Sequence, residues 1–171
     1  MDLKETELKA QNELTKKLFH FLKGDANAVR FCIDLVYILH LWDDLYDRDR
    51  ERTKEDINAA FRIALVDMPG NPFYFSCIGE LKTLIMNTIL QWQDANKLET
   101  QPQSDHDLHM AYMLRAGLLQ IFNYCAYLIG GPEWVEQVGP DMRRMYEENF
   151  FDYLQEMKNK VKTDVVIQEV K

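Results

Sequence analysis

Hydrophobic positions recur at spacings of three and four along nearly the whole chain, and no set of segments alternates with the period of two that a half-buried strand shows. Leu8, Leu14, Leu18, Phe19, Phe21 and Leu22 predict a first amphipathic helix that ends near Gly24. Asp25 is placed to cap a second helix, from about Ala28 to Asp47, whose sequence is apolar almost all round and therefore predicts a central, buried element. Thr53-Lys54-Glu55-Asp56 has the form of a capping box with Asp in place of Glu or Gln. It opens a third helix whose apolar positions are Ile57, Ala60, Phe61, Ala64 and Leu65.

Asp67-Met68-Pro69-Gly70-Asn71-Pro72 is a loop signal. A fourth helix follows from about Ser76 to Lys97, with Leu81, Leu84, Ile85, Thr88 and Ile89 on one face. After a polar linker at Thr100–Gln103, Ser104 to Asp107 caps a fifth helix that runs to Gly130-Gly131. Pro132 starts a short helical piece ending at Gly139, and Pro140 fits the first turn of a sixth helix reaching about Lys160. The tail, 161–171, frays or packs as a short extended strap. The expected fold is all-α, a single-domain bundle of about six helices around the central apolar helix.

The central helix carries polar residues that its burial must accommodate. Tyr37, His40, Asp44 and Asp47 fall in one stripe, with Asp43 at its edge. Carboxylates are rarely buried unless paired or bound to a cation, so a divalent metal is one explanation. The other is that Asp43, Asp44 and Asp47 pair with Arg48, Arg50 and Arg52 and face water. His40 is expected to be buried and hydrogen-bonded to Asp44 or Tyr37, both within helical reach.

Length and composition narrow the classes of function. The 171 residues suit one domain with a real core, and 47% apolar with 28% charged residues is an ordinary globular balance. The net charge of −8 opposes an electrostatic nucleic-acid binder and an anionic membrane surface. A metal-bridged phosphate compound is compatible with it, because the cation inverts the local charge. Cys32, Cys77 and Cys125 sit among apolar neighbours, as buried thiols of a reducing compartment do, and the N-terminus lacks the pattern of a signal peptide. No segment is long and apolar enough for a bilayer, so the expected location is cytoplasmic.

Asp43-Asp44-Leu45-Tyr46-Asp47 matches an aspartate-rich DDxxD motif at the end of a core helix, and here the chain resembles the isoprenoid synthase family. The resemblance implies Mg²⁺ held by Asp43, Asp44 and Asp47, with a diphosphate between them and a second polar motif on a facing helix. Glu148, Asp152 and Glu156 keep that motif's interval of four, and only Glu156 matches it in residue type. Asn149, Asp152 and Glu156, spaced three then four, form the more inward-facing set. Lys158 would be the basic residue beside the phosphate. The motifs cover about a tenth of the chain, which lacks the helices that follow the second motif in that family.

Three other constellations match the chain less well. Asp105-His106-Asp107-Leu108-His109 resembles the His-Asp pair of HD-domain phosphohydrolases, which His40 and Asp152 would have to complete; Asp107 is also accounted for as a cap. All-α nucleoside triphosphate pyrophosphatases use ExxE, which is absent here, and a di-iron bundle would use Glu-x-x-His pairs, also absent. Two functions follow. The first is a metal-dependent enzyme acting on a phosphate or diphosphate compound, with Mg²⁺ on Asp43, Asp44, Asp47, Asn149, Asp152 and Glu156, and with His40, Tyr37, Arg48 and Lys158 behind them or on the phosphate. The second is a non-catalytic helical interaction protein, open to homo-oligomerisation, which would explain the aromatic-rich Met145, Tyr146, Phe150, Phe151 and Tyr153 without chemistry.

Overall fold

The computed structural model describes residues 3–48 and 50–169. The protein is all-α: helix accounts for 83% of it, and no strand occurs among the described residues. In chain order the helices are α1 (Leu3–Phe21), α2 (Ala26–Asp47), α3 (Lys54–Arg62) continued by a π-helical turn (Ile63–Asp67), α4 (Pro72–Ser76), α5 (Ile78–Thr100), α6 (Asp105–Arg115), α7 (Leu118–Arg143) and α8 (Phe150–Glu169). Among the described residues, no helix is long and apolar enough to cross a membrane. The chain groups into two compact units, Met1–Leu81 with Phe122–Val138, and Lys82–Ile121 with Gly139–Lys171.

In the first unit, α1 ends in a left-handed pair, Lys23 (φ 51°) and Gly24 (φ 79°). Asp25 then caps α2 by accepting from the N–H groups of Asn27 (2.9 Å) and Ala28 (3.0 Å). Leu18, Phe21 and Leu22 are buried as the periodicity requires, while Phe19 is exposed. Phe31 of α2 is fully buried and stacks on Tyr74 at 5.1 Å between centroids. Burial of α2 is concentrated in its N-terminal half; Trp42, expected inside, is exposed. Its one buried acid, Asp34, receives Arg30 Nε at 2.8 Å on both carboxylate oxygens.

The Thr53 capping box forms as expected: Thr53 Oγ1 accepts from Asp56 N at 3.1 Å, and Asp56 Oδ2 accepts from Thr53 N at 3.0 Å. The apolar face expected of the third helix is corrected. Ala60 and Ile63 are buried, but Phe61 and Leu65 are exposed. A π turn holds more residues than the α-helical period, so the regular three-and-four count fails beyond Ile63. Asn71 caps α4, accepting from Tyr74 N at 3.1 Å, and its Nδ2 donates to the carbonyl of Asn27 at 2.9 Å. In α7 the expected stop at Gly130-Gly131 appears as a kink, with Gly131 at φ 77°, ψ −177°.

The second unit has its own core of Ala95, Leu108, Ala111, Tyr153 and Met157, against which Leu98, Tyr112, Leu114, Phe150 and Leu154 pack. The expected fifth helix is divided, because α6 ends at Arg115 and a new helix starts at Leu118. The expected sixth helix is also corrected. The helix through Pro140 stops at Arg143, and α8 begins at Phe150, after Asn149 accepts at Oδ1 from Phe151 N (2.9 Å) and Asp152 N (3.4 Å). The tail backbone is helical to Glu169 rather than an extended strap; residues 170 and 171 lie outside the described residues.

Candidate functional site

The acidic end of α2 lies in the first unit. The loop after the helix folds back so that Arg52 meets Asp44, its Nε and Nη2 both donating to Asp44 Oδ2. The two side chains keep only 18% and 16% of their exposure, so this is a half-buried ion pair rather than a solvated one. Asp43 is half-buried and Asp47 exposed. Arg48 adopts a left-handed backbone (φ 57°) and closes the helix by donating its N–H to the Asp44 carbonyl. Among the described residues, no group of three or more His, Cys, Asp or Glu side chains is arranged to hold a metal ion.

Two expectations about this stripe are corrected. His40 is exposed, not buried, because α2 leaves the core over its last turns. Crowding by surrounding protein nonetheless lowers its pKa below the ordinary value, against the pull of Asp43 and Asp44 and with the help of Arg52. Tyr37 donates to the carbonyl of Asp56 at 3.3 Å. Burial and the Asp56 carboxylate both raise the Tyr37 pKa. Asp56 is itself held below the usual carboxylate range, chiefly by its hydrogen bonds from Thr53.

The residues expected on the sixth helix lie in the second unit, and several are engaged there. Asn149 caps α8, as described. Glu156 pairs with Lys160 at 2.7 Å, and Lys158 pairs with Asp105 at 2.7 Å. Asp152 is exposed. At the start of α6 the expected cap is corrected: Ser104 makes no side-chain cap bond, and Asp107 accepts from the N–H of Gln103, the residue before Ser104, at 2.7 Å; His109 stacks on Phe150 at 4.5 Å.

The most highly connected polar group in the second unit has no motif and was not anticipated. Arg115, in the last turn of α6, donates to both carboxylate oxygens of Glu99 on α5 and to Asn96 Oδ1 (2.6 Å). Tyr153 of α8 donates to Glu99 Oε1 at 2.8 Å. Tyr153 is nearly fully buried, and burial, reinforced by the negative Glu99 that accepts its proton, pushes its pKa well up. Nearby, Tyr146 donates to Glu148 Oε2 at 2.5 Å and Tyr112 donates to the Glu148 carbonyl at 2.6 Å. Glu99 and Arg115 are sixteen positions apart on different helices, so no local spacing announces them. The network ties three helices together. Every acidic oxygen it uses is already matched by a donor.

The chain matches no protein-family model, no curated protein and no solved structure.

Proposed function

We propose that the protein is a helical interaction module that self-associates through the outer face of its π-helical turn. One observation carries this reading: Phe61, Leu65 and Val66, within six consecutive residues, remain 62%, 72% and 63% exposed. Scattered apolar side chains on a surface are ordinary, but a local set of this size favours association. Arg62 and Asp67, paired at 2.6 Å, put one charge of each sign beside the set, which suits a two-fold contact in which the same face meets itself. The test is light scattering across a concentration series. The wild-type chain should dimerise as concentration rises, and F61S/L65S should stay monomeric with an unchanged circular dichroism spectrum. A wild-type chain that is monomeric throughout overturns the reading.

A second reading keeps the DDxxD resemblance: Mg²⁺ on Asp43, Asp44 and Asp47, serving a phosphate or diphosphate substrate, with Arg48 near the phosphate. It is favoured by the electrostatic coupling of His40 to both Asp43 and Asp44 at one helix end. It requires Asp44 to exchange Arg52 for the ion. Millimolar Mg²⁺ should then raise the melting temperature, more so in Arg52→Ala, and the effect should vanish in Asp44→Asn. Unchanged melts in all three proteins rule it out.

A further inference from the structure

The solvent side of α6 carries a stripe of soft donors. His106, Met110 and Met113 follow one another at intervals of four and three, and all lie inside the regular helix Asp105–Arg115. On the α-helical period the three fall within about 60° of one another around the axis, spread over about 10.5 Å along it. Successive members are about 5–6 Å apart between β-carbons, a span that two side chains can close over one ion. All three are exposed, Met110 to 44% and Met113 to 65%. Among the described residues the only other exposed methionine is Met86. Two outward sulfurs beside an outward imidazole are therefore particular to this helix.

The groups around the stripe are engaged elsewhere. The opposite side of α6, with Leu108 and Ala111, is buried in the core of the unit. Asp105 pairs with Lys158 at 2.7 Å, and Asp107 accepts from Gln103 N at 2.7 Å. His109, at the edge of the stripe toward α8, has its ring stacked on Phe150 at 4.5 Å. What faces outward is one imidazole and two thioethers, with both neighbouring carboxylates already matched.

We propose that His106, Met110 and Met113 bind copper(I), a soft monovalent cation, on the outer face of α6. Thioether sulfur is a soft ligand that selects copper(I), whereas Mg²⁺ and Ca²⁺ require hard oxygen donors. Imidazole serves zinc and copper alike, so the two sulfurs set the preference, since zinc takes thiolate, imidazole and carboxylate. The three ligands are neutral and leave the charge of the ion uncompensated at the site. A monovalent ion suits them better than a divalent one, and the chain's net charge of −8 favours its approach. Because every ligand stands on one helix, the site forms with α6 and asks only for a choice of rotamers.

The test uses the full-length chain with isotope-labelled methionine methyl groups, followed by NMR. Silver(I) nitrate in chloride-free buffer is the redox-inert probe. The Met110 and Met113 methyl resonances should move together with the His106 imidazole, while those of Met68, Met86 and Met142 stay in place. Zinc sulfate should leave the two methyls where they are. Copper(I), kept reduced by ascorbate, should be withdrawn by the chain from a chromophoric chelator. M110L/M113L and His106→Ala should each weaken that withdrawal by at least about tenfold, the scale on which lost partners weaken metal sites. Their circular dichroism should be unchanged, because all three side chains are exposed. The buried thiols of Cys32, Cys77 and Cys125 are the rival soft ligands, and these substitutions leave them intact. Silver that moves neither methyl, or copper held as tightly by M110L/M113L as by the wild type, overturns the proposal.

Discussion

Gly130→Ala should disorganise the contact that fastens the kinked part of α7 to the end of α1. A β-carbon at Gly130 would lie 2.3, 2.5 and 2.6 Å from Cδ1, Cγ and Cβ of Trp134, far inside contact distance, so Trp134 has to move, its Cβ included. In its place Trp134 donates Nε1–H to the Phe21 carbonyl at 2.8 Å, sits edge-on to His20 at 6.0 Å, and carries Lys23 Nζ over its ring at 5.0 Å. Losing the hydrogen bond costs about 1 kcal/mol, and the ring and cation contacts contribute about 1 kcal/mol more. Added strain from overpacking is about 1 kcal/mol. The expected loss is therefore about 2–4 kcal/mol in urea unfolding followed by circular dichroism, with an altered tryptophan emission from the native state. A double-mutant cycle supplies the discriminating measurement. In a Trp134→Gly background, Cβ, Cγ and Cδ1 are all absent, the added methyl meets none of them, and most of the cost of Gly130→Ala should disappear. Additive costs would refute the argument and leave only a general intolerance of helix substitution.

Arg115→Ala should destabilise by about 2–4 kcal/mol, because it leaves the nearly buried Glu99 carboxylate with Tyr153 as its remaining described donor; Arg30→Ala should cost about 1–3 kcal/mol in the same chemical-denaturation assay, because the guanidinium is largely exposed but the Asp34 carboxylate it leaves behind is buried. Thr53→Ala should cost about 1 kcal/mol by removing one half of the capping box. The Tyr153 and Tyr146 pKa values are raised on folding, so their contribution is complete below about pH 10, the unfolded tyrosine value, and is lost as pH rises from there toward the folded values. Tyr153→Phe should accordingly flatten the alkaline fall in stability measured by thermal melts. The His40 pKa is lowered on folding, so its contribution is present above about pH 6.5 and declines as pH falls toward the folded value. His40 should titrate below the ordinary histidine midpoint by NMR, and a midpoint at or above it would contradict the crowding described.

What the sequence disclosed, and what it hid, follows the range of the interactions. Asp25, the Thr53–Asp56 box and the helix end near Gly24 are settled by contacts within five residues, and each is where the pattern predicts. The break between Arg115 and Leu118 was missed because its flanks keep helical periodicity, and Gly117 alone is a weak stop. The π turn is hidden because its extra residue leaves composition untouched and only displaces the phase, which puts Leu65 on the wrong side; Phe61 precedes the turn, in α3, and its exposure does not follow from it. The Glu99–Arg115–Tyr153 network depends on three helices meeting, and nothing in any one of them encodes the meeting.

The aspartates at the end of α2 show how the same residues can serve two physical ends. Three acids within five positions at a helix C-terminus oppose the macrodipole and repel one another, so they need a compensating positive charge. A metal ion could supply it, and so could an arginine delivered by the following loop. Arg48 closes the helix with a left-handed residue, the chain reverses, and Arg52 arrives at Asp44 just before the Thr53 cap starts α3. Closure, ion pair and cap are thus consecutive, and together they join α2 to α3 through six residues. In that arrangement the acid cluster acts as a joint between helices. Replacing Arg52 asks the remaining question directly, since a joint loses stability without its arginine whatever ions are present, whereas a metal site recovers it when Mg²⁺ is added.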